Sequence, residues 1–149
     1  MDTEKPMRVI GSPSCTPDSP LQAPSASRRG PDEAKRQQTR AGINMEFATS
    51  LYKERVSSGR RVLHEHQLCA TPWNLDCVLD IMAVSGVDSG WCDQCQYGQD
   101  VIGEPVKKPT RWMPNSPEIL SMLKLKCVNK DGRCPRPGGV QTSPMHRRR

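Results

Sequence analysis

The stretch from Met7 to Glu65 restricts the fold more than any other part of the sequence. Met7-Arg8-Val9-Ile10 is a short apolar run that breaks at Gly11-Ser12-Pro13, as a strand running into a loop does. A helix-compatible segment follows from Asp32 to about Ser58, and Arg61-Val62-Leu63-His64-Glu65 then reads as a second strand. Two strands joined through a helix share a sheet by a crossover connection. Further along, Asn74 is placed to cap a second helix carrying Leu75, Val78, Leu79 and Met82 on its inner side and closed by Gly86. Val87 to Gln96 reads as a strand with a turn at Asp88-Ser89-Gly90. Lys108 to Met113 reads as extended, since Pro109 biases Lys108 away from helix. Ser116-Pro117-Glu118 combines a cap, a first-turn proline and a carboxylate at the positive helix end, with Ile119, Leu120 and Leu123 apolar behind it. Alternating elements of this kind predict an α/β sheet with crossover helices.

Within the long helix, Ile43, Phe47 and Leu51 recur at spacing four and share one face, with Tyr52 beside it. Asp32 and Glu33 stand at the front, Lys53 and Arg55 near the back, and Gly59 is a suitable stop. Gly42 weakens the middle, so the best-supported part is Asn44 to Val56. The chain divides into a short strand with a mobile Pro/Ser-rich cysteine loop over 1–31, an α/β domain over 32–125, and an irregular basic tail over 126–149.

Core material is scarce. Of 149 residues 34% are hydrophobic and 4% aromatic, while 11 are Gly and 14 Pro, so the expected core is small and the loop content high. The net charge of +6 collects at Arg28–Arg29, Lys35–Arg36, Arg60–Arg61, Lys107–Lys108 and Arg147–Arg149, a balance that favours polyanions, nucleic acid first among them. No run approaches the roughly 18–20 apolar residues of a membrane span, and Met1-Asp2-Thr3-Glu4-Lys5 opens no secretory signal. The seven cysteines are therefore read in a reducing, intracellular setting, nuclear in a eukaryote, as thiols, a nucleophile or metal ligands.

Cys15, in the loop after the first strand, is the first candidate nucleophile, because open α/β sheets bind ligands outside the carboxyl ends of their strands. This loop resembles the catalytic motif of the DNA cytosine-5 methyltransferases, a Gly-x-Pro-Pro-Cys-x-x-Phe-Ser pattern. Gly11, Pro13, Cys15 and Ser19 match it, whereas Ser14 and Asp18 replace a proline and the aromatic residue. Glu65 takes the glutamate position of the family's Glu-Asn-Val strand end, with His66 in place of the asparagine and Gln67 where a proline is expected. Gln96-Tyr97-Gly98 and Lys107-Lys108-Pro109-Thr110-Arg111 follow in the order of the family's Gln-x-Arg-x-Arg strand. Segments from Arg8 to Gly139, strongest over Arg60–His66 and Asp93–Ser116, resemble a divergent module of this kind found in phage proteins and retrotransposon polyproteins.

The resemblance implies a partial Rossmann-like methyltransferase sheet. It implies catalytic roles for Cys15 as the nucleophile at cytosine C6, Glu65 as the acid at the N3 face, and Arg111, or else Lys107 or Lys108, as the donor to O2. Arg60, Arg61, Lys107 and Lys108 are the expected phosphate contacts on DNA, whose target base must leave the stack. The family binds S-adenosylmethionine at a Gly-rich turn ahead of the cysteine loop. Only ten residues precede Gly11, so the expectation is a fragment of a larger polyprotein, inactive alone and not binding that cofactor.

A zinc site is the competing reading. Cys92-Asp93-Gln94-Cys95 has the gap of a metal knuckle, and Cys127 and Cys134 complete a four-thiolate set, with His146 as a substitute ligand. The six residues between Cys127 and Cys134 depart from the usual short gap. Each candidate also has a plainer role: His64 and His66 alternate onto one strand face, Lys107–Arg111 fits a solvated basic turn, and Tyr97 suits a core strand.

Overall fold

The structure, a computed structural model, describes residues 7–13, 30–101, 103–128 and 134. Arg8–Gly11 forms strand β1, Pro31–Ser57 helix α1, and Arg61–Gln67 strand β2. β1 and β2 pair in parallel, Val9 opposite Val62 and Gly11 opposite His64, which is the crossover the sequence predicts. α1 begins at a proline in its first turn and ends ahead of Gly59, whose φ of 69° is the left-handed conformation that stops a helix. A single 3-10 turn, Thr71–Asn74, leads into helix α2, Asp76–Met82. Strand β3 is Gly90–Asp93 and is followed by a 3-10 turn over Gln94–Tyr97. A short hairpin, β4 (Asp100–Val101) with β5 (Glu104–Pro105), precedes strand β6, Pro109–Pro114, and helix α3, Pro117–Met122.

The sheet order is β1-β2-β6-β3, with β6 antiparallel to both its neighbours. The architecture is thus α/β with a four-strand mixed sheet. β6 comes last in the chain yet sits inside the sheet, between β2 and β3. Asn115 fastens it there: its side chain accepts the Val62 N–H at 2.8 Å and donates to the Arg60 carbonyl at 2.7 Å.

One core fills the space between α1, α2 and the sheet, built of Met45, Tyr52, Val62, Trp73, Val78, Ile81 and Met113. The face of α1 differs from the expected one. Met45, Thr49 and Tyr52 are buried, whereas Ile43 and Phe47 are 59% and 65% exposed. Two apolar stripes compete on this helix and only one can face the sheet. The winning stripe carries Tyr52, whose hydroxyl reaches 3.1 Å from Nδ1 of buried His64 across Gly11. A Cβ at Gly11 would lie 1.7 Å from that hydroxyl, so the glycine makes room for the contact.

Other elements are shorter than expected. Asn74 belongs to the 3-10 turn and Leu75 occupies the cap of α2, which buries Val78 and Ile81 and leaves Leu79 exposed. The third strand ends at Asp93 because the chain coils into the Gln94–Tyr97 turn, and Tyr97 stands 43% exposed rather than in the core. Ser116 caps α3 as predicted, accepting the Ile119 N–H at 3.4 Å.

Candidate metal centre and the strand edge beside it

Two groups of chemically capable side chains emerge. The first is buried. Cys95 comes from the turn after β3, and Cys127 and Cys134 from the chain beyond α3; their sulfurs all lie within 4.8 Å of one another. Tetrahedral zinc at about 2.3 Å from each thiolate sets sulfurs about 3.8 Å apart, so the cluster is close enough to hold a metal ion. Polar groups support it from outside. The Asp93 carboxylate accepts the Cys127 N–H at 2.7 Å, Gln96 Nε2 donates to Cys134 Sγ at 3.1 Å, and Lys107 Nζ donates to the Cys127 carbonyl at 3.5 Å. Burial pushes the Cys95 thiol up to about 12, so without a cation that sulfur stays protonated near pH 7. All six cysteines among the described residues are free thiols.

The cluster keeps three of the four sulfurs predicted for it. Cys92 is excluded because strand alternation turns it away: its sulfur accepts the Trp112 indole N–H at 3.1 Å. Burial raises its pKa, an effect opposed by that hydrogen bond. His146 lies outside the described residues. Asp93 and Gln96 hydrogen-bond the cluster, a role the sequence reading does not give them, although both sit within or beside the Cys-x-x-Cys spacing that draws attention to the segment.

The second group is an edge of the sheet. Ser12, just past β1, donates a hydrogen bond to Glu65 Oε2 near the carboxyl end of β2. Lys108, immediately before β6, brings Nζ to 3.7 Å from Glu65 Oε1. The loop that leads to Cys15 therefore leaves the sheet beside Glu65, while Cys15 itself lies outside the described residues. Arg111 is not part of this group. It pairs with His66, whereas Glu65 pairs with Trp112, so Glu65 and Arg111 project from opposite faces. The Arg111 guanidinium stacks 4.6 Å from the Trp73 ring centre and donates to Ser89 Oγ at 2.9 Å. Arg60 and Arg61 lie at the opposite end of β2, where exposed Arg8 is Arg61's register partner. Lys107 turns toward the thiol cluster, as its bond to Cys127 shows.

His64 and His66 do share a strand face, but it is the covered one. Both are buried against Trp73, with ring centres 5.1 and 6.3 Å from it. Burial, with a smaller contribution from the neighbouring His66, lowers the His64 pKa to about 4, so the ring is neutral near pH 7.

Fold and sites together define a small α/β protein with a three-thiol cluster at one end and a carboxylate–lysine edge at the other side of β6. No protein-family model matches the chain, nor does any curated protein or solved structure compared with it. No helix among the described residues is long and apolar enough to cross a membrane.

Proposed function

We propose that this chain is a DNA-engaging piece of a cytosine-5 methyltransferase-like module with a Rossmann-like sheet, derived from a mobile-element or phage-like polyprotein. One observation carries the reading: Ser12, on the loop that leads to Cys15, hydrogen-bonds Glu65 across two adjacent parallel strands. A cytosine brought to this end of the sheet would meet the Glu65 carboxyl group for N3, beside the start of the loop whose Cys15 is proposed as the nucleophile for C6. Lys108 replaces Arg111 as the cation of the pocket, because it stands against Glu65 while Arg111 faces away. Methyl transfer itself needs S-adenosylmethionine, and no residue of this chain is assigned to it.

The test is capture on duplex DNA carrying a pyrimidinone in place of one cytosine, an electrophile that traps a C6 nucleophile without a methyl donor. The expected result is a covalent adduct lost in Cys15→Ala and slowed in Glu65→Gln. An adduct unchanged in Cys15→Ala, or DNA binding with no adduct, would overturn the assignment. Binding should weaken with salt, and Arg60→Ala with Arg61→Ala should lower the logarithmic salt slope by about 1 per phosphate contact removed.

The thiol cluster favours a second, alternative reading: a basic nucleic-acid-binding protein stabilised by zinc, held by Cys95, Cys127 and Cys134. Cysteine thiolates suit zinc, and binding would release their protons. Purified chain should carry about one zinc, and less than about 0.1 per chain would remove this reading. Cys127→Ser should lose the metal and Cys92→Ser should keep it; the reverse would restore the Cys-x-x-Cys pair as the site.

A further inference from the structure

The outward stripe of α1 is an unusual surface. It holds the chain's single phenylalanine, Phe47, at 65% exposure, with Ile43 exposed one turn before it and Leu51 half-buried one turn after. Arg40 lies three residues before Ile43, and Glu54 three residues after Leu51. Both are exposed, and neither makes an ion pair among the described residues. The spacing 40-43-47-51-54 is symmetric about Phe47 and keeps all five residues on one helical stripe. Read backwards, apolar residues fall on apolar ones and the arginine falls on the glutamate.

That symmetry selects the occupant. A two-fold interface brings residue i against j and j against i. Two copies of α1 packed antiparallel about Phe47 would oppose Phe47 to its own copy, each Ile43 to a Leu51, and each Arg40 to a Glu54. The sense of the pairing follows from charge: a parallel pair would stack Arg40 on Arg40 and Glu54 on Glu54.

We infer that α1 is a self-association surface and that the chain forms an antiparallel, two-fold dimer through Ile43, Phe47 and Leu51, with its register set by Arg40–Glu54 pairs. The inference does not depend on the proposed function. The test is sedimentation of the full chain over a concentration series, with zinc present and a reductant to exclude disulfides through exposed Cys69. Wild type should shift from one to two chain masses as concentration rises. Phe47→Glu should raise the midpoint by about 100-fold or more while keeping the circular-dichroism spectrum, since Phe47 supports no core. Arg40→Glu and Glu54→Arg should each raise it by about 10-fold, and the double reversal should return it to within about 3-fold of wild type. A monomer at every concentration, a dimer indifferent to Phe47→Glu, or single reversals that the double variant fails to rescue would each overturn the inference and leave the stripe to a partner of different sequence.

Discussion

The molecule has two buried regions, and they are held by different means. Between α1, α2 and the sheet, eight buried residues from five elements interlock, and Val9, Val56 and Val87 pack around them. At the far end of β3 the buried cluster is Cys95, Cys127 and Cys134, without an aliphatic or aromatic member among the described residues. The first region gains from apolar burial at roughly 25 cal/mol per Å². Three thiols offer little of that, and their chemistry is better matched to a cation than to each other. The difference teaches that the larger core rests on apolar burial, whereas around Cys95 and Cys127 the described contacts are hydrogen bonds and close thiols.

The sharpest way to break the contrast is metal removal. A strong chelator, or Cys127→Ser, should leave the sheet core folded and release the thiol region. Amide exchange at Asp93, Cys95 and Cys127 should speed up by orders of magnitude, because structural zinc binding is worth about 10–16 kcal/mol in small domains. Exchange at Val62 and Met113 should change little. Equal loss in both regions would show that they are one cooperative unit. The reciprocal probe is Ile81→Ala. Ile81 is fully buried in the first core, and the variant should lose about 2–5 kcal/mol in denaturant unfolding while retaining zinc stoichiometry.

The two regions were unequally legible in the sequence. β1, α1 and β2 follow from a short apolar run, a long helix-compatible stretch and a second run, and local signals of that kind fix element type and the crossover. The cap at Ser116 was equally readable, because its chemistry lies within four residues. The burial face of α1 was not. Period alone marks two stripes, and the choice depends on Tyr52 meeting His64, twelve residues away and on another element. The mixed sheet escaped for the same reason: nothing local in Pro109–Pro114 says that this strand inserts between β2 and β3, which Asn115 secures through Val62 and Arg60. Of the candidate ligands, the sequence grouped Cys95, Cys127 and Cys134, which the fold does bring together, because thiol spacing is conspicuous. It added Cys92 because spacing cannot tell which way a strand residue turns. Glu65 and Arg111 were grouped by order along the chain, while a one-residue offset in register sends them to opposite faces.

Acid should weaken the first region. His64 is neutral in the fold, with its pKa lowered to about 4 from 6.5 by burial, so the unfolded chain binds a proton at a pH where the folded one does not. Stability is full above about pH 6.5, declines as the pH falls from 6.5 toward 4, and levels off for this group below 4. The shift corresponds to at most about 3 kcal/mol. Denaturant midpoints across that range should show the decline, and His64→Gln should flatten it. A slope unchanged in His64→Gln would assign the acid sensitivity to other groups.

The smallest effect expected is at the junction of the regions. Tyr97 closes the turn that carries Cys95, and its hydroxyl donates to the Met122 carbonyl at 2.7 Å and accepts the Leu125 N–H at 3.0 Å. These bonds tie the end of α3 to the thiol region, and through α3 to the sheet, where Leu120 lies over Gly90. The hydroxyl is solvent-accessible, so water replaces much of what Tyr97→Phe removes, and the loss should be about 0.5–1 kcal/mol. Its location is more informative than its size. If the regions are separately stabilised, the loss should appear in zinc-free protein as faster exchange at Leu125 and Cys127 with no change at Val62, and zinc should mask it. A loss spread evenly over both regions, with or without metal, would mean that α3 transmits stability from the sheet to the thiols, and the contrast between the two cores would be one of composition alone.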